Sequence, residues 1–147
     1  MFWNETTSLL RPSWQPFFAN HGTKMKPSYS YYMLRTLATL LDGAQPEEVS
    51  FEIDTKNDLL QKHAFSLPQG NRLLAVWIAE QSRKKRLDDY QGVKATITIS
   101  SDAPERIVGI DLLNGREQEL AFSVDGDRLI VHDLIVKDYP LLLRLEY

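Results

Sequence analysis

The sequence predicts a mainly β protein: an antiparallel two-sheet β-sandwich of about eight strands, preceded by one α-helix and an irregular N-terminal segment. Three observations lead there. The hydrophobic period changes at Pro46. Before it, Tyr32-Met33-Leu34-Arg35-Thr36-Leu37-Ala38-Thr39-Leu40-Leu41 places apolar pairs at 33/34, 37/38 and 40/41, which stack on one side of a helix. After it, Val49, Phe51 and Ile53 alternate with Glu48, Ser50 and Glu52, the period of a half-buried strand. From there to Tyr147, short alternating runs are separated by turn residues at roughly 8–12-residue intervals, the spacing of a sandwich.

Taken in order, residues 1–26 are the least regular. Phe2-Trp3 reads as the end of a strand, but Pro12, Pro16 and Gly22 break any period beyond it. Pro27 suits the first turn of a helix, with Ser28 or Ser30 placed to cap free amides. Asp42-Gly43 closes that helix, Gly43 as a left-handed cap, and Pro46 bars continuation. Strands are expected near 48–54, 59–67, 72–79, 92–100, 105–113, 118–124, 128–132 and 140–146. Pro68-Gln69-Gly70-Asn71, Asn114-Gly115 and Asp125-Gly126 supply hairpin turns. Strand 72–79 is apolar on both faces, Leu73, Ala75 and Trp77 against Leu74, Val76 and Ile78, so it is expected to be central. Strand 92–100 alternates, with Val93, Ala95, Ile97 and Ile99 inward.

Composition narrows the function classes. The chain has 147 residues, enough for one domain with a proper core. Hydrophobic residues make up 43% and charged residues 25%, the balance of a soluble globular chain. No apolar run approaches the roughly 20 residues of a membrane helix. Met1-Phe2-Trp3-Asn4-Glu5 lacks the basic start and apolar stretch of a signal peptide, and the compartment is left open. Without cysteine there is no disulfide framework and no thiolate metal site. Arg11, Lys24, Lys26 and Arg35 outnumber Glu5 and Asp42 in residues 1–45, so the remaining chain is the acidic part of a net charge of −3. An acidic β region lacks the concentrated basic face that nucleic acid requires.

Two stretches carry a family resemblance. Lys26-Pro27-Ser28-Tyr29-Ser30-Tyr31-Tyr32-Met33-Leu34-Arg35-Thr36-Leu37 resembles the "K-P-x-Y-x-x-L-R" helix that ends the catalytic barrel in many clan-A glycoside hydrolases. Asp111-Leu112-Leu113-Asn114-Gly115-Arg116-Glu117-Gln118-Glu119-Leu120 and Asp138-Tyr139-Pro140-Leu141-Leu142-Leu143-Arg144-Leu145 resemble the closing strands of their C-terminal β-sandwich. The resemblance, to β-xylosidase- or cellulase-like enzymes, implies that residues 1–45 are the end of a β/α barrel and residues 46–147 its accessory sandwich. It implies that Phe2-Trp3 belongs to the eighth barrel strand, with Trp3 as an aromatic platform for a sugar ring. The barrel strands that carry the two catalytic carboxylates are not in this sequence, so the chain alone is expected to be inactive.

The residues themselves offer no catalytic set. A retaining glycosidase needs two carboxylates about 5 Å apart in a pocket. Glu47 and Glu48 are strand neighbours pointing to opposite faces, and Glu117 with Glu119 flanks a hairpin turn and reads as solvent-facing. Asp88-Asp89 comes just after the basic run Arg83-Lys84-Lys85-Arg86 in what reads as a solvated hairpin tip. Glu5 is the only acid near the barrel end and is not assigned a role. His21, His63 and His132 show no metal-ligand spacing, Asp125-Gly126-Asp127 is half of a calcium loop at most, and no G-x-S-x-G is present. No cofactor or metal is therefore expected.

Trp77 reads as core, while Trp14 sits in the irregular N-terminal part. The expected role is a non-catalytic accessory sandwich that packs against and braces the barrel of the same parent chain. The alternative is a free-standing carbohydrate-binding module, with Tyr90, Phe122, Tyr139 and Tyr147 as its candidate aromatics. On the first reading, the helix face of Met33, Leu34, Leu37, Leu40 and Leu41 has lost a partner, and self-association through residues 28–41 is expected.

Overall fold

The computed structural model describes residues 18–21, 24–27, 29–55, 57–79, 92–113 and 115–147. Two strands, β1 (Phe18–His21) and β2 (Lys24–Pro27), form an antiparallel hairpin ahead of the helix α1 (Tyr29–Leu40). The irregular reading of residues 1–26 does not anticipate that hairpin. Pro27 ends a strand opposite Phe18 instead of opening the helix, a position where its missing N–H costs little.

Ten further strands complete the chain: β3 (Gln45–Pro46), β4 (Phe51–Asp54), β5 (Leu60–Ser66), β6 (Arg72–Ile78), β7 (Val93–Ser100), β8 (Arg106–Asp111), β9 (Arg116–Leu120), β10 (Ser123–Asp125), β11 (Arg128–Val136) and β12 (Leu141–Glu146). They make two antiparallel sheets. One has the order β3-β5-β6-β12-β8-β9 and the other β10-β11-β7-β4. The expected two-sheet sandwich is the fold. β6 lies inside the larger sheet, between β5 and β12, as its two apolar faces require.

Alternation along each strand builds the core between the sheets. Leu74, Val76 and Ile78 of β6, Leu143 and Leu145 of β12 and Ile107 of β8 meet Ala95, Ile97 and Ile99 of β7 and Leu129, Val131, Leu134 and Val136 of β11. Fully burying such a side chain is worth about 1.5–3 kcal/mol, so this layer dominates the stability. Two cations tie the larger sheet to the smaller one and its flanking residues. Lys62 donates to the Phe51 carbonyl at 2.6 Å and lies over its ring, joining β5 to the edge strand β4. Arg72 bonds Glu47 at 3.1 Å and Ser101 at 2.7 Å, and the Ser101 and Tyr147 hydroxyls are 2.6 Å apart.

The larger sheet has a second apolar face. Leu73, Ala75, Val108, Ile110, Leu112 and Leu142 are buried there, and Met33, Leu37 and Leu40 of α1 pack on them. Residues 33, 37 and 40 recur with the helical period, so one stripe of α1 meets the sheet. The helix reaches across that sheet. A Cβ built on Gly115, at the β8–β9 turn, would lie 3.3 Å from Thr36 Oγ1, and one on Gly43, past the helix end, would lie 3.0 Å from Pro68 at the β5–β6 turn. Leu34 and Leu41 of the expected face sit outside the contact stripe, 54% and 37% exposed.

Several strand boundaries differ from expectation, each for a local reason. The stretch 118–124 divides between two sheets, β9 in the larger and β10 in the smaller. β11 runs on to Val136 through a β-bulge. Val131 pairs with Ile97 and Leu134 with Ala95, so His132 and Asp133 share one slot, and Asp133 takes φ +54°. The bulge moves the inward set from 129 and 131 to 134 and 136, which hides the second half of the strand from a period-2 reading. Gly70 and Gln69 both take positive φ in the β5–β6 turn. The two-residue β10–β11 loop is Gly126-Asp127, one residue later than Asp125-Gly126, because Asp125 pairs with Arg128.

Two glycines with positive φ test this packing. At Gly126, φ +63°, a Cβ would meet nothing within 4 Å, so Gly126→Ala should cost about 1–2 kcal/mol, the ordinary penalty of the left-handed region. At Gly92, φ +74°, a Cβ would fall 2.7 Å from Ile135 Cγ2 and 2.8 Å from the Val136 carbonyl. Gly92→Ala should lower the urea midpoint clearly more than Gly126→Ala; equal effects would mean that the β7–β11 join is not this tight.

Candidate functional site

The outer face of the six-stranded sheet gathers the chemistry. On it, residues of one parity project from each strand: Gln61, His63 and Phe65 from β5, Leu73, Ala75 and Trp77 from β6, Leu142, Arg144 and Glu146 from β12, and Arg106, Val108 and Ile110 from β8. The middle is apolar and lies under α1. The flanks are polar, ionic on the β8–β9 side and aromatic on the β5 side.

On the ionic flank, Arg144 forks onto Glu117 of β9, Nη1 to Oε1 at 3.0 Å and Nη2 to Oε2 at 2.9 Å. Its Nε donates to Glu146 at 2.6 Å, and Arg106 donates to the other Glu146 oxygen. The ladder Glu117–Arg144–Glu146–Arg106 thus links three adjacent strands. The hydrogen bonds from Arg106 and then Arg144 hold the Glu146 carboxyl below its usual range. The Glu117 hydrogen bond, against desolvation, raises the already high Arg144 value. These carboxylates are neutralised by cations. That is the opposite of a general acid, whose pKa must be raised.

On the aromatic flank, the His63 and Trp77 rings stack with centroids 5.2 Å apart and planes 15° from parallel. Trp77 is only half-buried: it packs against the outer apolar cluster and not between the sheets. Its expected place in the core is corrected to that extent. Strand 72–79 has two apolar faces, and parity alone does not say which of them receives the indole.

A cleft of ≈ 210 Å³ opens where β11 leads into β12, lined by Ile110, Asp111, Ile135, Lys137, Tyr139, Pro140 and Leu141. It is shaped by the Asp138-Tyr139-Pro140 motif. Asp111 accepts the Leu113 N–H at 2.9 Å, and the Lys137 ammonium lies 5.5 Å above the Tyr139 ring. One carboxylate lines it, and two-carboxylate hydrolysis needs a pair.

The other candidates are dispersed. Glu47 is tied to Arg72, whereas Glu48 is exposed. Glu117 pairs with Arg144, and Glu119 is exposed on the same strand. His132 is exposed at the bulge, Asp125 and Asp127 are exposed beside the β10–β11 turn, and His21 lies in β1. Phe122 and Tyr139 are half-buried, and Tyr147 is exposed beside Arg72. Among the described residues no group of His, Asp or Glu is placed to hold a metal ion. Trp3, Glu5, Trp14, residues 83–86, Asp88, Asp89, Tyr90 and Asn114 lie outside the described residues. No described helix is long and apolar enough to cross a membrane. The His63–Trp77 stack escaped the sequence reading, although the β5–β6 hairpin register, once drawn, sets Gln61 opposite Trp77 and His63 opposite Ala75.

No protein-family model matches the chain, and no curated protein matches it. The functional reading therefore rests on the residues and their geometry.

The ladder makes a pH prediction. A carboxyl with a lowered folded pKa contributes stability that is present above its unfolded value, near 4.5, and is lost as pH falls through the folded value. Glu146→Gln should flatten the fall in melting temperature below about pH 4.5 relative to the parent chain. An unchanged acid limb would show that Glu146 does not carry this linkage.

Proposed function

We propose that this chain is the non-catalytic accessory β-sandwich region of a glycoside hydrolase acting on polysaccharide or oligosaccharide, and that it packs against and braces the catalytic barrel of the same parent chain. The observation that carries the reading is the joint between α1 and the sandwich. Met33, Leu37 and Leu40 fix the helix on the sheet's outer face, so the helix is joined to the sandwich by packing as well as by the chain. By the sequence resemblance, that helix is the one that ends a barrel. The charge pattern agrees with a supporting role, because Glu117 and Glu146 of the outer face are both ion-paired with Arg144.

The barrel would dock on the side of α1 that the sandwich leaves uncovered. Leu34 and Leu41 are exposed there, about 90° round the helix from the buried stripe. In the isolated chain the same flank would pair two copies.

Leu34→Lys combined with Leu41→Lys should leave the melting temperature within a few degrees, since both side chains are exposed, and should turn a self-associating chain into a monomer by light scattering. Aryl glycosides should not be turned over above buffer by either form. The reading frame upstream of Met1 tests the parentage directly. An in-frame β/α barrel with two catalytic glutamates supports it, and a stop codon immediately upstream refutes it.

A further inference from the structure

We propose that the outer edge of β4 is a latent pairing edge for the same strand of a second copy of this chain, and that Lys62 of β5 holds it shut. The inference is independent of the barrel reading.

β4 ends the four-stranded sheet, with β7 on one side and no strand on the other among the described residues. The Ser100 N–H donates to the Ser50 carbonyl at 3.0 Å. Ladder alternation then turns the backbone groups of Ser50, Glu52 and Asp54 toward β7 and those of Phe51 and Ile53 toward the open side. Such outward N–H and C=O groups are a template for a further strand, and sheet proteins blunt them with charged side chains, lysine above all.

Lys62 is placed to do this. It shares the parity of Leu60 and Ala64, the face of β5 turned toward the smaller sheet. Its ammonium donates to the Phe51 carbonyl at 2.6 Å and stands 5.0 Å from the centre of the Phe51 ring. Phe51 is only 4% exposed although it lies in an edge strand, whereas Lys62 is itself exposed. A strand approaching this edge meets the charge before the carbonyl.

The sequence of β4 shows what the guard has to exclude. Antiparallel pairing of two copies centred on Glu52 sets Glu52 against Glu52, and pairing centred on Ile53 sets Glu52 against Asp54. Like charges directly opposite one another disfavour both registers. Pairing centred on Phe51 sets Phe51 against Phe51 and Glu52 against Ser50, so no acid of the strand faces another. That register draws on the carbonyl that Lys62 occupies. The acids obstruct two registers and Lys62 obstructs the third.

The test uses the full chain carrying Leu34→Lys and Leu41→Lys, so that pairing through α1 does not contribute. Adding Lys62→Ala should turn the monomer into a dimer by light scattering. The Phe51 and Ile53 amides should then exchange roughly tenfold more slowly than with Lys62 intact. Lys62→Arg, which keeps a cation at the edge, should stay monomeric. A Lys62→Ala chain that remains a monomer, a dimer whose slowed amides lie outside β4, or a Lys62→Arg chain that also dimerises overturns the guard. A second measurement needs no substitution at Lys62: the parent chain is titrated, by NMR, with the peptide of residues 48–55. No saturable shift at Phe51 and Ile53 supports the guard, and a saturable shift there overturns it.

Discussion

The six-stranded sheet is apolar on both faces, and everything else in the fold answers that constraint. β6 buries Leu74, Val76 and Ile78 on one side and Leu73 and Ala75 on the other. β12 and β8 repeat the pattern, with Leu143, Leu145 and Ile107 inward and Leu142, Val108 and Ile110 outward. The smaller sheet covers the first face. Were the second left bare, Leu73, Val108, Ile110, Leu112 and Leu142 would meet water at about 1.5–3 kcal/mol each, a sum comparable to the roughly 5–15 kcal/mol that keeps a domain folded. α1 is therefore a structural layer. The change of hydrophobic period at Pro46 marks a change of secondary structure, yet the apolar packing runs across it.

Covering only the middle of that face leaves its two flanks free to differ. On the β8–β9 side, arginine and glutamate alternate across three strands and satisfy one another. β9 is also an edge strand, and its Arg116, Glu117 and Glu119 are the sort of charged residues that discourage edge-to-edge pairing. On the β5 side, Gln61 and His63, without a hydrogen-bond partner among the described residues, flank the indole. One flank is thus electrostatically self-contained, while the other keeps unused hydrogen-bonding capacity. The side of α1 turned away from the sheet keeps Leu34 and Leu41 exposed.

Much of this was legible in the residues, because period and parity are local. The alternation in Val93–Ser100 gave its inward set, and the two-faced run Leu73–Ile78 gave a central strand. Glycine at 43, 70, 115 and 126 marked ends and turns where φ is positive. What was hidden depends on pairing partners. The His132-Asp133 bulge inverts parity in mid-strand, so Leu134 and Val136 look outward to a reader who continues the alternation from Leu129. The crossing from β9 to β10 is a choice of sheet, which residues 118–124 do not announce. The helix face looked five residues wide, and only the width of the sheet beneath it decides that Met33, Leu37 and Leu40 are taken and Leu34 and Leu41 are not. The aromatic stack was hidden for the same reason, since His63 and Trp77 are fourteen positions apart and meet only through the hairpin register.

The central claim, that α1 belongs to the cooperative core because it covers the sheet's second face, is tested most directly by native-state hydrogen exchange at increasing sub-denaturing urea. Amides of Met33 to Leu40 should open with the same free energy and denaturant dependence as those of Leu73–Val76 in β6 and Leu142–Leu145 in β12, as members of one unfolding unit. Exchange of the helix amides through a separate opening, several kcal/mol easier than the strands and with a small urea dependence, would contradict the account.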